Sequence, residues 1–472
     1  MSASLPDLLA LAARGPVHFV GVGGAGMSAL AEALLRGGAT VSGCDNAPGE
    51  VTEHLASLGA TMQRGHDPAH VQGAAAVVRT AAVPADHPEI AAAHAQGIPV
   101  LRRAEALGAL VNRATLLAVA GTHGKTTTTA MTTAILVEAG LDPTAFVGGK
   151  VTGWGSGLRA GGDRLYVAEA DEYDRAFLTL RANAAAVTSL EADHMEIYGS
   201  VEVLHDGFRS FLSHVPGSGL VAACVDDAGV RALLAGGVEA PVVAYGTGED
   251  AALRAVELEP AGRTTRFRLL EDGAELGAFE LGCPGRHNVL NAVAALALAR
   301  WAGADLDAAR RALTHFQGVG RRFQELGTAA GVTLVDDYAH HPTEVRATLV
   351  AARGAYPDRR LVAAFQPHLY TRTRDHHEDF GAALALADAV FVADVFPARE
   401  APIEGVDGAL VAHAAEAGGA ERVRYTPTLA QLENALYAEL RPEDVCILMG
   451  AGNIDQASRR LLARLSSSGA GV

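Results

Sequence analysis

Short apolar runs recur along this chain, several of them closed by glycine or an acid. In the first part they fall at residues 17–20, 40–43, 74–78 and 99–101, with an apolar-periodic stretch at 27–36. Runs of that length are too short for helices and read as strands; the periodic stretch reads as a helix. The pattern restarts at residues 116–120, ahead of a helical stretch at 126–139 that Gly140 stops. It continues at 164–168, 184–188, 219–224 and 242–245. Residues 264–270 and 275–281 flank Asp272-Gly273, which predicts a hairpin, and an alanine-rich helix is expected at 288–300. After Gly318-Val319-Gly320 a third series occupies 332–335, 360–365, 389–395 and 444–449. Strands alternating with helices predict parallel sheets. The expectation is an α/β chain of three domains, 1–112, 113–319 and 320–472.

Composition narrows the function classes. At 472 residues, 49% of them hydrophobic, each block can bury a core of its own. No apolar run reaches the length of a membrane span, and the start lacks a basic stretch leading into a greasy one, so neither membrane insertion nor a signal peptide is expected. The net charge of −16 disfavours nucleic acid as a partner. Cys44, Cys224, Cys283 and Cys446 form no C-x-x-C pair. A structural zinc or a disulfide framework is therefore not expected, and a reducing cytosol fits. Only two of the 38 basic residues are lysines, Lys125 and Lys150.

One of those lysines stands in a chemistry-bearing motif. Gly121-Thr122-His123-Gly124-Lys125-Thr126-Thr127 follows a strand and opens a helix. Glycines let backbone N–H groups approach phosphate oxygens, the lysine neutralises charge, and the Thr126 hydroxyl can hold Mg²⁺. Two residues separate its glycines where the usual phosphate loop has four, so it is a shortened variant. Glu169-Ala170-Asp171-Glu172 closes a strand and offers the oxygen ligands Mg²⁺ takes. Glu191-Ala192-Asp193-His194 also follows a strand, and reads equally as a second metal site or a solvated turn.

Gly21-Val22-Gly23-Gly24-Ala25-Gly26 after a strand, with Asp45 closing the next, fits a dinucleotide fingerprint. Nicotinamide dinucleotides and sugar nucleotides such as UDP both meet its demands: a pyrophosphate on a helix N-terminus and an acid for a ribose hydroxyl. Two phosphate cradles in one chain argue for two phosphorylated substrates. In the third block Asp336-Asp337-Tyr338-Ala339-His340-His341-Pro342 and Gln366 to Arg374 each follow an apolar strand, where α/β sites form.

Taken in order, these segments resemble the Mur ligase family. The resemblance runs from His18 to Gly450-Ala451-Gly452 and includes Gly285-Arg286-His287-Asn288 with Asn291, and Gly320-Arg321-Arg322-Phe323-Gln324. It implies a Rossmann-like N-terminal domain for UDP-N-acetylmuramate, a central P-loop-type ATPase domain with a parallel sheet, and a Rossmann-like C-terminal domain for an amino acid. It further implies ATP-dependent amide formation through an acyl phosphate, with L-alanine as the amino acid. The setting would be peptidoglycan precursor synthesis in the cytoplasm, serving cell-wall growth and division, by a monomer or homodimer.

Carried over by position, Lys125, His194, Arg322, His340 and Arg372 would be catalytic. Gly121, Thr122, His123, Gly124, Lys125, Thr126 and Thr127, with His287, Asn288, Asn291 and Arg322, would hold ATP. Gly23, Gly24, Ala25, Gly26, Met27 and Asp45 would hold the UDP-sugar, and Tyr338, His340 and Arg372 the alanine. Thr126, Glu169 and His194 would ligate Mg²⁺, and Arg322 would reach across a domain gap towards the phosphates.

The chain departs from the family pattern in places. Leu369 stands where relatives often have arginine, leaving the alanine carboxylate to Arg372. Arg79-Thr80 replaces Ser-Ser, and Tyr173 and Thr188-Ser189 replace commoner residues. No lysine follows Lys150, so the carbamylated lysine of some relatives is absent. Three other readings fit part of the pattern. A sister ligase would join a whole tripeptide to the same sugar nucleotide. A nicotinamide-dependent dehydrogenase would explain Gly21 to Gly26 and Asp45 but not Lys125. A non-catalytic UDP-sugar sensor would bind nucleotide without turnover.

Overall fold

A computed structural model describes residues 7–469. It contains three sheets, one in each expected block. The first is wholly parallel, in the order β3-β2-β1-β4-β5, with β1 Val17–Val20, β2 Val41–Asp45, β3 Thr61–Arg64, β4 Ala76–Arg79 and β5 Val100–Arg102. All four residues of β1 are buried, His18 among them, as in a strand covered on both faces. Val17 and Phe19 join one hydrophobic cluster and Val20 another, following the two-residue alternation of a strand.

The second sheet has ten strands in the order β15-β14-β13-β12-β11-β10-β6-β9-β7-β8. They are β6 Thr115–Ala120, β7 Thr144–Phe146, β8 Leu158–Arg159, β9 Leu165–Glu169, β10 Ala184–Val187, β11 Leu220–Cys224, β12 Val242–Gly246, β13 Leu253–Ala261, β14 Thr264–Glu271 and β15 Ala274–Leu281. β6 pairs in parallel with β9 on one side and β10 on the other. The chain leaves β6 for β7 on the β9 side and leaves β9 for β10 on the other, so connections from these neighbouring strands run in opposite directions and a crevice opens at their carboxyl ends. At the expected hairpin, Asp272 and Gly273 both take positive φ, 48° and 82°, as a two-residue turn of the right twist requires.

The third sheet runs β16-β17-β21-β18-β19-β20, with β16 Gln324–Ala329, β17 Val332–Asp337, β18 Leu361–Phe365, β19 Ala389–Val392, β20 Val423–Tyr425 and β21 Val445–Met449. Only its β16–β17 pair is antiparallel.

The chain divides into two compact units: residues up to Val256 with Leu269–Gly277 and Leu290–Thr314, and Glu257–Arg268 with Ala278–Val289 and the chain from His315. The first two sheets thus share a unit. Their joint is tied by polar contacts: Asn112 Nδ2 donates to the Thr179 carbonyl at 2.9 Å, its Oδ1 accepts from Arg181 N at 2.8 Å, and Thr179 Oγ1 donates to the Ala104 carbonyl at 2.9 Å. Among the described residues no helix is long and apolar enough to cross a membrane.

Candidate active site

Both phosphate cradles belong to the first unit. In the first, Gly21 to Gly26 leaves β1 and enters helix Ala25–Arg36, whose N-cap Gly24 provides no side-chain hydrogen bond. The cap leaves the amides at the helix start open to an anion. Asp45 faces this loop: Oδ2 accepts from Gly23 N at 2.8 Å and Oδ1 from Ala47 N at 2.9 Å. The carboxylate expected at a ribose thus also fixes the glycine turn. Val20 is the last strand residue before it, and the Cys44 carbonyl accepts from Gly21 N and Val22 N at 3.0 and 3.1 Å.

The second cradle, Gly121 to Thr127, sits at the carboxyl end of β6 and opens helix Lys125–Glu138. Its two glycines are obligatory. Gly121 has φ 135°, and a Cβ there would lie 2.1 Å from Thr188 Oγ1; Gly124 has φ 81°, and a Cβ there would lie 2.4 Å from Asn291 Oδ1. The strand-end residues Thr188 and Ser189 brace the loop, with Thr122 N donating to the Ser189 carbonyl at 3.0 Å and His123 N to Ser189 Oγ at 2.9 Å. The next turn is strapped on as well: Glu191 N donates to Thr122 Oγ1 at 2.9 Å, and His123 Nε2 lies 3.3 Å from Glu191 Oε2. Thr126 to Thr129 are buried. Thr129, Thr132 and Thr133 each donate a hydroxyl to the backbone carbonyl four residues earlier, and Thr128 Oγ1 lies 3.2 Å from Asn291 Oδ1.

Lys125 Nζ donates to both carboxylate oxygens of Glu172 at 2.8 Å and to the Gly121 carbonyl at 2.6 Å. Burial works against its charge, but the carboxylates of Glu172, Asp171 and Glu169 outweigh that and hold its pKa above the ordinary lysine value. Glu169, at the end of β9, accepts from Gly148 N and interacts with the Thr126 hydroxyl; burial raises its carboxyl, with Lys125 opposing. The structure therefore brings Lys125, Thr126, Glu169 and Glu172 together. His194 is on the turn after β10, at φ 57°, 3.7 Å from Asp193 Oδ2 and 3.6 Å from Glu196 Oε1, with the Tyr173 ring edge-on at 5.1 Å.

In the second unit the turn before β16 folds over the end of β17. Asp337 accepts from Phe323 N and Ala339 N, both at 2.7 Å, and Tyr338 N donates to the Arg321 carbonyl at 2.7 Å. Arg321 and Phe323 take positive φ to make that turn. The guanidinium groups of Arg321 and Arg322 each lie 5.0 Å from the Tyr338 ring centroid. Arg322 Nη1 is 3.8 Å from Glu344 Oε1, and His340 Nδ1 is 3.1 Å from Glu344 Oε2. His287 is pushed down to about 4, chiefly by burial, with Arg322 adding and Glu344 opposing, so its imidazole is neutral at pH 7. Asn288 Nδ2 donates to the Pro284 carbonyl at 2.7 Å. Arg372 is buried in helix Tyr370–Leu384, which Leu369 caps at φ 68°.

Sequence reasoning grouped Glu172 with the metal-binding acids; its pairing with Lys125 emerges only in three dimensions. Thr188 and Ser189, which depart from the family pattern, both serve the phosphate loop: Thr188 Oγ1 donates to the Ala120 carbonyl and Ser189 Oγ accepts from His123 N.

Three family profiles cover most of the chain: "Mur ligase family, catalytic domain" matches residues 16–115, "Mur ligase middle domain" 119–299, and "Mur ligase, glutamate ligase domain" 321–452. A UDP-N-acetylmuramate–L-alanine ligase of Halorhodospira halophila is 47% identical over 458 residues, spanning 96% of this chain and 94% of that protein. One from Salinibacter ruber is 44% identical over 454 residues, spanning 96% and 95%. Among solved structures, a UDP-N-acetylmuramate–alanine ligase from Thermotoga maritima superposes with a TM-score of 0.82 at 30% identity, covering 96% of this chain and 99% of that one.

Proposed function

This chain belongs to the Mur ligase family, and we propose that it joins L-alanine to the carboxylate of UDP-N-acetylmuramate while ATP is converted to ADP and phosphate. The observation that carries this reading is near-full-length identity of 47% to a ligase of that name. The constellation around Lys125 supplies the chemistry. A carboxylate is a poor acylating agent; phosphorylation turns one of its oxygens into a leaving group. The muramate carboxylate attacks the γ-phosphate, and the alanine amine then displaces phosphate from the acyl phosphate. Two anions must meet in the first step, so charge neutralisation dominates the barrier.

In this reading a phosphate of ATP replaces the Glu172 carboxylate as the partner of the Lys125 ammonium. The Thr126 hydroxyl and the Glu169 carboxylate are hard oxygen donors side by side, and that donor set fits Mg²⁺. When bound there, Mg²⁺ would screen the phosphate charges. His194 is assigned to a second Mg²⁺. Neutral His287, with Asn288 and Asn291, is assigned to the adenosine. Gly23, Gly24, Ala25, Gly26 and Met27, with Asp45, are assigned to the UDP-sugar. Tyr338, His340 and Arg372 are assigned to the alanine, and Arg322 to the phosphates. We read residues 1–112, 113–319 and 320–472 as the sugar-nucleotide, ATP and amino-acid domains of a cytoplasmic enzyme.

The test is phosphate release from ATP with UDP-N-acetylmuramate present and one amine supplied at a time: L-alanine, glycine, L-serine or a tripeptide. L-Alanine should give the highest kcat/KM. Preference for the tripeptide would assign the chain to the sister activity instead, and no release with any amine would refute the ligase reading.

A further inference from the structure

Beneath the first glycine loop lies a cluster of side chains that the ligation chemistry does not use. It fills the face of the first sheet covered by helix Pro88–Ala95 and the turn Pro68–Val71. His18 comes from β1, Cys44 from β2, His66 and His70 from the segment after β3, and Glu89 from the first turn of the helix. We propose that His18, Cys44, His70 and Glu89 form a transition-metal site, with Zn²⁺ the favoured ion.

One ligand atom from each of these four residues lies within 4.8 Å of all the others. Glu89 Oε1 is 2.8 Å from His70 Nδ1, 3.2 Å from Cys44 Sγ and 3.8 Å from His18 Nε2. Tetrahedral zinc with these ligands spaces its donors about 3.3–3.6 Å apart, within reach of small shifts of these side chains. His18 and Glu89 are both 0% exposed, yet His18 Nε2 has no hydrogen-bond partner. An orphaned buried nitrogen is costly, and this one lies 3.8 Å from Glu89 Oε1. The far nitrogen, Nδ1, sits 2.9 Å from Ser42 Oγ, a hydroxyl able to accept from Nδ1–H when Nε2 is given to a metal. His66 Nδ1 is 2.9 Å from Glu89 Oε2 and steadies the second carboxylate oxygen. A thiolate and a carboxylate balance the two charges of Zn²⁺ in a buried place, and a thiol with two imidazoles disfavours Mg²⁺ or Ca²⁺. His66 and His70, 18% and 14% exposed, open a path for the ion. Cysteine spacing gave no sign of the site, because its ligands come from four separate segments and not from a C-x-x-C pair.

The full-length protein, stripped of metal, is titrated with Co²⁺ alone and with Zn²⁺ alone. One Co²⁺ per chain should bind with a thiolate-to-cobalt absorption band, Zn²⁺ should displace it, and Zn²⁺ should raise Tm. Cys44→Ser should abolish the band and weaken Zn²⁺ at least ~10-fold. His70→Asn, at a part-exposed position, should weaken Zn²⁺ similarly and guards against misfolding of the first variant. His194→Ala should keep the band, which separates this site from metal at the phosphate loop. Absence of the band in the unmodified protein, its persistence in Cys44→Ser, or a Tm indifferent to Zn²⁺ would each overturn the proposal.

Discussion

Replacing Lys125 by alanine removes two things at once, and the structure says how to separate them. The ammonium pairs bidentately with Glu172, and the two side chains are 15% and 3% exposed. Breaking a buried pair by deleting one partner costs about 3–5 kcal/mol, because the other charge is left without compensation. At roughly 2–4 °C per kcal/mol for a domain of this size, Lys125→Ala should lower Tm by about 6–20 °C. The double variant Lys125→Ala/Glu172→Gln leaves no stranded carboxylate and should regain most of that loss. Catalysis should not return with it. Electrostatic stabilisation of the phosphoryl group is gone in both variants, and loss of one such group costs ~10²–10³-fold in kcat. Thermal melts and ATP-dependent phosphate release on the single and double variants test both halves. A single variant melting within 2 °C of the parent would refute the buried pair, and near-parental turnover in the double variant would refute the role given to the ammonium.

Gly124→Ala should reduce turnover and ATP affinity while sparing UDP-sugar binding, since its φ of 81° and the 2.4 Å approach to Asn291 Oδ1 disturb only the second cradle; equilibrium binding of each nucleotide checks this. Asp336, raised to about 6 chiefly by burial, should make stability fall as pH rises from about 4 to about 6. Over that window the unfolded chain releases the proton while the folded one keeps it, for at most ~3 kcal/mol, and stability is then level. Asp336→Asn should remove that component from a denaturation series across pH. Arg372→Ala should raise the KM for alanine more than that for ATP; equal rises in steady-state kinetics would reassign the residue.

The strands that the sequence displays are those buried on both faces. β1, β6, β10, β17, β18 and β21 are mostly apolar and buried along all or nearly all of their length, as strands covered on both faces are; only β1, β6 and β17 carry polar residues within them. β3 is invisible in the sequence: Thr-Met-Gln-Arg at a sheet edge has little to bury. β8 is only two residues long, β16 and β20 lie at the edges of the third sheet, and β13 reaches Pro260 and an exposed end. Residue 389–395 reads as one run, but the strand stops at Val392. The site was legible where its residues sit at strand ends, in segments such as Gly121 to Thr127 and Asp336 to Pro342. What stayed hidden were the pairings between segments: Lys125 with Glu172, Gly121 against Thr188, Asp45 with Gly23, and Arg322 over Tyr338. Each depends on which strand lies beside which, and local pattern carries no record of that.

The threonine-rich start of helix Lys125–Glu138 also bears on the order of folding. Six threonines within it disfavour an isolated helix by roughly 0.5 kcal/mol each relative to alanine. Three of them satisfy their hydroxyls only on carbonyls inside the helix, and all six are buried. Such a segment has little tendency to nucleate by itself and gains its order from β6, β9 and helix Leu306–Thr314 packed around it. The phosphate-binding loop is therefore expected late in folding. In a refolding experiment, nucleotide affinity should appear with the last phase of burial, after most of the helical signal has returned.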